Sequence, residues 1–596
     1  MFIMKPINLY LPLFMVFFIV LNYVYLDGAP FKKKDAKSLN IDYKISVDLE
    51  NKEKFSVKAV ISGIQTESLL LRMTANYGRV EKLDDLIPDI TISSNGSEIC
   101  GIEKINEFLW EIPINSSEIE IDYSINTRFP YSSLNMVRLP YRDENHIYFP
   151  ASSVFIHPDE WYLEENSIKI EKIGIRFAPP PEWVVATSWG TGSRMIHVEP
   201  PEINNLNSGL IGLGIYRTYS TRIKGLILET VFLGKGPAPD ADFNQVIIEA
   251  LNASYKIFQF FPCNRFFVLF HFIFERPGQG SGNFLEWSSC LNYSRRFNDP
   301  RWLDKKSHIF HEIFHFWNGT EGPPLSRAQD DYSLIWFTEG ITRYYQYKNM
   351  VAAGIINENE LFNFMTGQFA TTYHNSLREL NLDEISRQYY FNKDAFELTY
   401  SKGCCVAFAL DLLIKKISSG QKSFDDILKL MIKRYNYKDN GHTYSHEEVE
   451  ETIKEVLGDN YFPSYKKLYG KDFVLEFYPI LDKAGLSIQK KKGRRLYFGI
   501  LNFGPPGGPV KVLSVDRESP AYAAGLRSGD ILLEINGKKI KSPASIKELV
   551  KHIPENEPVK LTLERDDKKL KITTPWNSYA TEFVINREEE NLKDKL

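Results

Sequence analysis

The sequence predicts a multidomain chain: an N-terminal antiparallel β domain, an α+β domain whose C-terminal half is mostly helical, and a small C-terminal β-barrel-like unit. Length is the first observation behind this, because 596 residues exceed what one core serves at roughly 100–200 residues per domain. Composition is the second: 43% hydrophobic and 25% charged residues are ordinary for globular proteins and unlike a disordered or multi-spanning chain. The third is a change of pattern along the chain, from alternating runs to helical stretches and back to short strands between Gly-rich turns.

Taken in order, residues 1–35 read as an export segment, with Lys5 ahead of a mainly apolar run from Leu9 to Leu26. Its length fits either a long signal peptide or an uncleaved membrane anchor. Asp27 spoils the small-residue cleavage site near Ala29, whereas Lys32, Lys33 and Lys34 after the run argue against simple translocation. The expected location is exported, periplasmic, or anchored through this segment. Residues 36–235 form the expected N-terminal β domain, with alternations such as Tyr43-Lys44-Ile45-Ser46-Val47 and Ile119-Glu120-Ile121-Asp122-Tyr123. In residues 236–488, Phe243 to Phe258 reads as a helix and Phe266 to Phe274 as a buried strand, and helical patterns dominate from Trp302 onward. A basic linker, Gln489 to Arg495, opens the last unit at 489–577, and the charged tail 578–596 is expected to fray.

The formal charge of −4 gives no basic field, and no cationic stripe stands out, so nucleic-acid binding is excluded. The five cysteines, Cys100, Cys263, Cys290, Cys404 and Cys405, follow no metal or disulfide spacing. Buried free thiols are expected, with a Cys263–Cys290 bridge as the alternative.

Chemistry concentrates in His311-Glu312-Ile313-Phe314-His315. On a helix the i, i+4 spacing puts both imidazoles on one face, where they can share a Zn²⁺ ion, with Glu312 beside it as general base. A catalytic zinc takes a third protein ligand from elsewhere. Trp336-Phe337-Thr338-Glu339-Gly340 places one 24 residues after His315 (339 − 315), inside an apolar stretch. A lone carboxylate there would be costly to bury, and a metal ion supplies the compensating charge. One zinc ion per chain, held by His311, His315 and Glu339, is the expectation. Tyr400, in Thr399-Tyr400-Ser401-Lys402-Gly403, offers a donor to a developing oxyanion, although it is one of 32 tyrosines and packing is the simpler role.

These blocks resemble the glycyl aminopeptidase family of zinc metallopeptidases, gluzincins with thermolysin-like catalytic domains. The resemblance runs from His311 to Asn318, through Trp336 to Tyr345, to Tyr400-Ser401-Lys402-Gly403, and on to Leu481-Asp482-Lys483-Ala484-Gly485-Leu486. It implies that Tyr400 stabilises the transition state. It also implies that Gly282-Asn283-Phe284-Leu285-Glu286-Trp287 borders the substrate on an edge strand, with Trp287 where the family has His. Glu286, between apolar neighbours, would meet the substrate's α-ammonium; pairing with Arg295 or Arg296 is the alternative. Trp287 would narrow the first side-chain pocket. The last unit is similar to a PDZ domain, with Tyr497-Phe498-Gly499-Ile500 as the carboxylate-binding loop and Gly529-Asp530-Ile531 and Ile535-Asn536-Gly537 among its later blocks.

The function expected is zinc-dependent removal of N-terminal residues, small ones such as Gly or Ala preferred, from peptide or protein substrates. The PDZ domain would bind peptide C-termini or dock on the catalytic domain. An endopeptidase of the same chemistry, or a silent peptide-binding scaffold, would share these motifs.

Overall fold

In the computed structural model, residues 37–587 are described except 74–85, 107, 129–138, 235–238, 274–278, 285–287, 295–301, 320–323, 328–330, 438–440, 498, 504–509, 551–552, 554–556 and 576–577. The architecture is multidomain, as expected: β sheets, a helical catalytic region, and β structure again at the C-terminus.

The N-terminal domain contains a seven-stranded and a four-stranded sheet and packs through a five-stranded one. Alternation makes these strands: in Glu118–Asn126 the residues Ile119, Ile121, Tyr123 and Ile125 face inward and are at most 4% exposed, so one face of each strand buries apolar area while the other stays wet. The pairing is not purely antiparallel, however. Lys37–Ser46 runs parallel to Ile168–Ala178, a long-range choice that local alternation does not encode.

The catalytic region centres on a five-stranded mixed sheet in the order Tyr216–Ile223, Leu226–Leu233, Arg265–Ile273, Ser288–Ser294, Gln279–Phe284. The domain boundary expected at 235 therefore lies before Tyr216, because the hairpin 216–233 is the first two strands of this sheet. One face of the sheet meets the N-terminal domain through Tyr148, Leu210, Val231, Leu233, Phe267 and Leu269. The helices Asp240–Phe258 and Trp302–Phe314 share the main hydrophobic core with Phe266, Val268 and Phe270, on the alternate positions of the strand. Gln279–Phe284 is the edge strand, antiparallel to its neighbour. Ile341–Ala352, Glu358–His374 and Lys393–Ile417 extend the core into the helical half.

The C-terminus departs most from expectation. Leu486–Tyr497, which contains the expected linker Gln489 to Arg495, is a strand, and within the tail expected to fray Ser578–Arg587 is its antiparallel partner. Phe583 and Ile585 on that tail are at most 4% exposed and join the core of the catalytic region. The Ile585 N–H donates to Thr366 Oγ1 at 3.0 Å. The unit 498–577 is thus inserted between two paired strands of the catalytic body, where Tyr497 and Ser578 are register partners. It has its own core around Val512, Leu526, Leu532, Val559 and Leu561. His374 Nδ1 lies 2.7 Å from Asp516 Oδ1, and ion pairs Arg378–Glu518 at 3.2 Å and Arg517–Glu379 at 2.9 Å flank it. These contacts hold the unit against the end of the helix Glu358–His374.

Cys263 Sγ donates to Arg265 O at 2.7 Å, and the side chain of Cys290, its alternative partner, lies outside the described residues. Cys404 and Cys405 are buried free thiols as expected, whereas Cys100 is exposed, because it lies in the loop between the strands Ser97–Glu98 and Glu103–Asn106 rather than in a core. Among the described residues no helix is long and apolar enough to cross a membrane; the anchor expected within 1–35 lies outside them.

Candidate active site and metal centre

The helix Trp302–Phe314 is amphipathic in the way its sequence requires. Ile309, Phe310, Ile313 and Phe314 are at most 1% exposed, and the Phe314 ring stacks on Tyr345 at 4.5 Å. The other face presents His308, His311 and Glu312, and His315 follows in the turn that ends the helix. Glu339 comes from a single π-helical turn, Trp336–Gly340. A wide turn of this kind redirects one residue out of the regular helical spiral, and here that residue is the carboxylate facing the two histidines.

The three ligand atoms converge. His311 Nε2 lies 3.3 Å from His315 Nε2 and 3.3 Å from Glu339 Oε2, and His315 Nε2 lies 3.6 Å from the same oxygen. A tetrahedral zinc with bonds of about 2.0–2.2 Å keeps its ligands about 3.3–3.5 Å apart, so the triangle has the dimensions of one face of such a site. Two imidazoles and a carboxylate are also the donor set of a catalytic zinc, and the residues fit that ion. Among the described residues this is the one cluster of three such groups able to hold a metal.

The three groups also compensate one another electrically. Burial opposes charge on His315, yet Glu339 outweighs it and raises the imidazole to about 9. Burial likewise opposes charge on Glu339, and the two histidines hold its carboxyl well below the usual range.

Asn318 fastens the arrangement. Its backbone carbonyl lies 3.0 Å from His315 Nδ1, and accepting that proton leaves the Nε2 lone pair for a metal. Its amide nitrogen donates to Phe337 O at 3.0 Å and Thr342 Oγ1 at 3.2 Å, tying the motif helix to the turn bearing Glu339. Glycines set the depth of that turn. A Cβ on Gly340 would lie 2.7 Å from Gly403 Cα and 2.8 Å from Thr399 O, so only a glycine pair lets the turn approach the helix Lys393–Ile417 so closely.

Glu312 is 8% exposed beside the ligands. His308, one turn earlier, has Nε2 at 3.5 Å from Glu312 Oε1. Burial pushes His308 down to about 4 against the pull of Glu312, so it stays neutral near pH 7. Tyr400 lies at the centre, its ring 6.0 Å from that of His311 and its hydroxyl 2.9 Å from the hydroxyl of Tyr389. Burial, then Glu339 and Tyr389, hold the Tyr400 phenol well above its ordinary value, so it remains a donor. Lys402 is fully buried and donates to Arg378 O, Leu380 O and Gly470 O at 2.7–3.1 Å. The lysine of the Tyr-Ser-Lys-Gly block therefore braces the loops beside Tyr400 rather than touching the centre.

The structure thus brings together His311, Glu312, His315, Glu339 and Tyr400. Gly282 lies on the edge strand Gln279–Phe284, while Glu286 and Trp287 lie outside the described residues. Of the expected carboxylate-binding loop, Tyr497 closes one catalytic strand ahead of the inserted unit, Gly499 has φ +86° with a space closed by Ser519, and Ile500 pairs with Val515; Phe498 is outside the described residues. Sequence reasoning missed Tyr389, which belongs to no motif and lies in a turn. Its only signal is the aromatic run Tyr389-Tyr390-Phe391 just before the cap Asn392.

The fold and this centre define a metallopeptidase. Residues 305–403 match the M61 glycyl aminopeptidase family, residues 42–197 match the peptidase M61 N-terminal domain, and residues 511–565 match a PDZ domain. The chain therefore carries the catalytic and N-terminal domains of the M61 glycyl aminopeptidase family, followed by a PDZ domain. An aminopeptidase N family protein from Idiomarina loihiensis shares the fold at a TM-score of 0.74 and 18% identity, over 92% of this chain and 98% of that one. An M1 zinc metallopeptidase from Deinococcus radiodurans, bound to a Tyr-Ser-Ala substrate, aligns at a TM-score of 0.47 and 12% identity, over 74% of this chain and 94% of that one. A DegP-like periplasmic serine endoprotease from Rickettsia prowazekii is 28% identical over 94 residues, 16% of this chain and 18% of that protein. The chain thus spans less than a fifth of the length of that curated relative.

Proposed function

We propose that this chain is an exported zinc aminopeptidase that holds one zinc ion at His311, His315 and Glu339 and removes small N-terminal residues from peptides. The convergence of these ligand atoms at 3.3–3.6 Å, with Glu312 next to them, carries this proposal. The M61 match supports the aminopeptidase class. Zinc, when bound, polarises the scissile carbonyl and makes water acidic enough to attack near pH 7. Glu312 accepts the proton of the attacking water and returns it to the leaving nitrogen. Tyr400, oriented by Tyr389, donates to the oxygen that gains charge. Glu286 binds the substrate's α-ammonium, which sets cleavage at the first peptide bond, and Trp287 narrows the space for the first side chain.

The PDZ unit would bind peptide C-termini at the loop 497–500 while docked through Asp516. The export segment and Lys5 support a location outside the cytoplasm.

The test is hydrolysis of free-amine and N-acetylated peptides with and without a chelator. Cleavage of glycyl and alanyl peptides only when the amine is free and zinc is present is expected. Internal cleavage of blocked peptides at equal rates would make the enzyme an endopeptidase. Tyr400→Phe should lower kcat by about 10- to 100-fold with little change in KM, since its contact strengthens in the transition state.

A further inference from the structure

Beside the metal centre the molecule exposes aromatic surface that the mechanism above does not use. Phe391 is 85% exposed, Tyr390 49% and Tyr332 38%. Large apolar side chains in such a state are informative when they cluster, and Tyr332 and Tyr390 do, with Phe391 next in the chain. The rings of Tyr332 and Tyr390 meet edge to face at 5.5 Å, and Tyr390 meets Tyr389 the same way at 5.0 Å. Tyr389 in turn carries the hydroxyl that pairs with Tyr400. An unbroken line of rings thus runs from the centre to solvent.

This surface is not a frayed loop. Phe391 N–H donates to Gln388 O at 3.1 Å, and Asn392 N–H to the same oxygen at 3.0 Å. Asn392 then caps the helix Lys393–Ile417, its side chain accepting from Asp394 N at 3.0 Å. The turn is therefore pinned between a helix end at Arg387 and a helix start at Lys393. A rigid turn that points two aromatic rings at water, one residue beyond a ring in the catalytic centre, is preorganised to receive an apolar group.

We infer that Tyr332, Tyr390 and Phe391 form a shelf that receives an aromatic or large aliphatic side chain of the substrate on the carboxyl side of the scissile bond. This assignment rests on the aminopeptidase proposal, in which the first residue is small and lies toward the edge strand Gln279–Phe284. The shelf is reached instead from the helical half, through Tyr400 and Tyr389, which leaves it to residues beyond the first. Specificity would then have two parts, a small residue before the cut and a bulky apolar one after it.

The experiment walks a phenylalanine along alanyl peptides of otherwise constant sequence and measures kcat/KM for the zinc enzyme and for Tyr390→Ala/Phe391→Ala. Phenylalanine at the second or third position should be favoured over glycine by about tenfold in the parent, the scale of partly burying one such ring. That ratio should fall toward one in the variant, whose zinc content and melting temperature report that it has folded. A ratio unchanged in the variant, or no aromatic preference at any position, overturns the shelf. The same peptides are also titrated by calorimetry into Glu312→Gln protein, which needs no turnover. Tighter binding of the phenylalanine peptide, lost with the two alanine substitutions, supports the shelf even where the parent cleaves none of the peptides, an outcome that would sink the aminopeptidase proposal alone. Equal binding of both peptides overturns the shelf whatever the enzyme cleaves.

Discussion

His157 in the N-terminal domain and His315 in the catalytic region are both buried, at 0% and 8% exposure, but they face different partners. His157 is contained by local structure: its Nδ1 lies 2.8 Å from Pro158 O and its Nε2 3.1 Å from the Asn207 amide. Burial lowers it to about 4, and it sits as a neutral group with each ring nitrogen near a polar partner, which is how folded proteins accommodate buried polar groups. His315 turns only Nδ1 to the backbone. Its Nε2 points at His311 Nε2 and the Glu339 carboxylate, so three ionisable groups meet at one point. Burial by itself therefore does not mark function. What marks it is convergence, where several ionisable atoms face one another across a space of metal-ion dimensions.

The sharpest way to break this comparison is to remove one converging atom. His311→Ala, His315→Ala or Glu339→Ala should abolish stoichiometric zinc and activity together, since the site needs all three ligands; full zinc by elemental analysis in these variants would refute the centre. Glu312→Gln should retain the metal and lose about 10²-fold or more in turnover.

The N-terminal histidine should reveal itself in stability instead. Its folded pKa lies below the ordinary 6.5, so above pH 6.5 both folded and unfolded states are neutral and nothing is lost. As pH falls from 6.5 toward 4 the unfolded chain takes up a proton that the folded domain refuses, and stability declines, by up to about 3 kcal/mol. His157→Asn should flatten that acid slope in hydrogen exchange of the N-terminal strands. An unchanged slope would place the titration elsewhere.

The smallest effect is expected from the inserted PDZ unit. Because Tyr497 and Ser578 pair directly, replacing 498–577 with a two-residue Asn-Gly turn should preserve the strand pair and leave dipeptide hydrolysis within about twofold, while long peptides with free C-termini bind more weakly. Truncation from 498 to the end would instead strip Phe583 and Ile585 from the core, and such a loss should unfold the helical half. Equal activity on long and short peptides after the internal excision would leave the PDZ unit a purely structural role. Arg517→Ala, which cuts the partly exposed ion pair to Glu379 at the dock, should cost no more than about 0.5 kcal/mol.

The sequence by itself singled out the metal motif and the third ligand, because helical spacing and the cost of a buried carboxylate are local facts, whereas Tyr400 stood out from 32 tyrosines only through the family resemblance. The sequence also determined the β, then α+β, then β order of the chain, through periodicity. Only the tertiary structure decided where domains begin and end. The hairpin 216–233 and the strand 578–587 look in sequence like the end of one domain and a loose tail, since nothing local says which distant strand they will pair with. Tyr389 and the fit of Gly340 against Gly403 were illegible for the same reason. A turn tyrosine and a small residue acquire their roles only from what lies across the space in front of them, and that is set by how the two halves of the catalytic region close on each other.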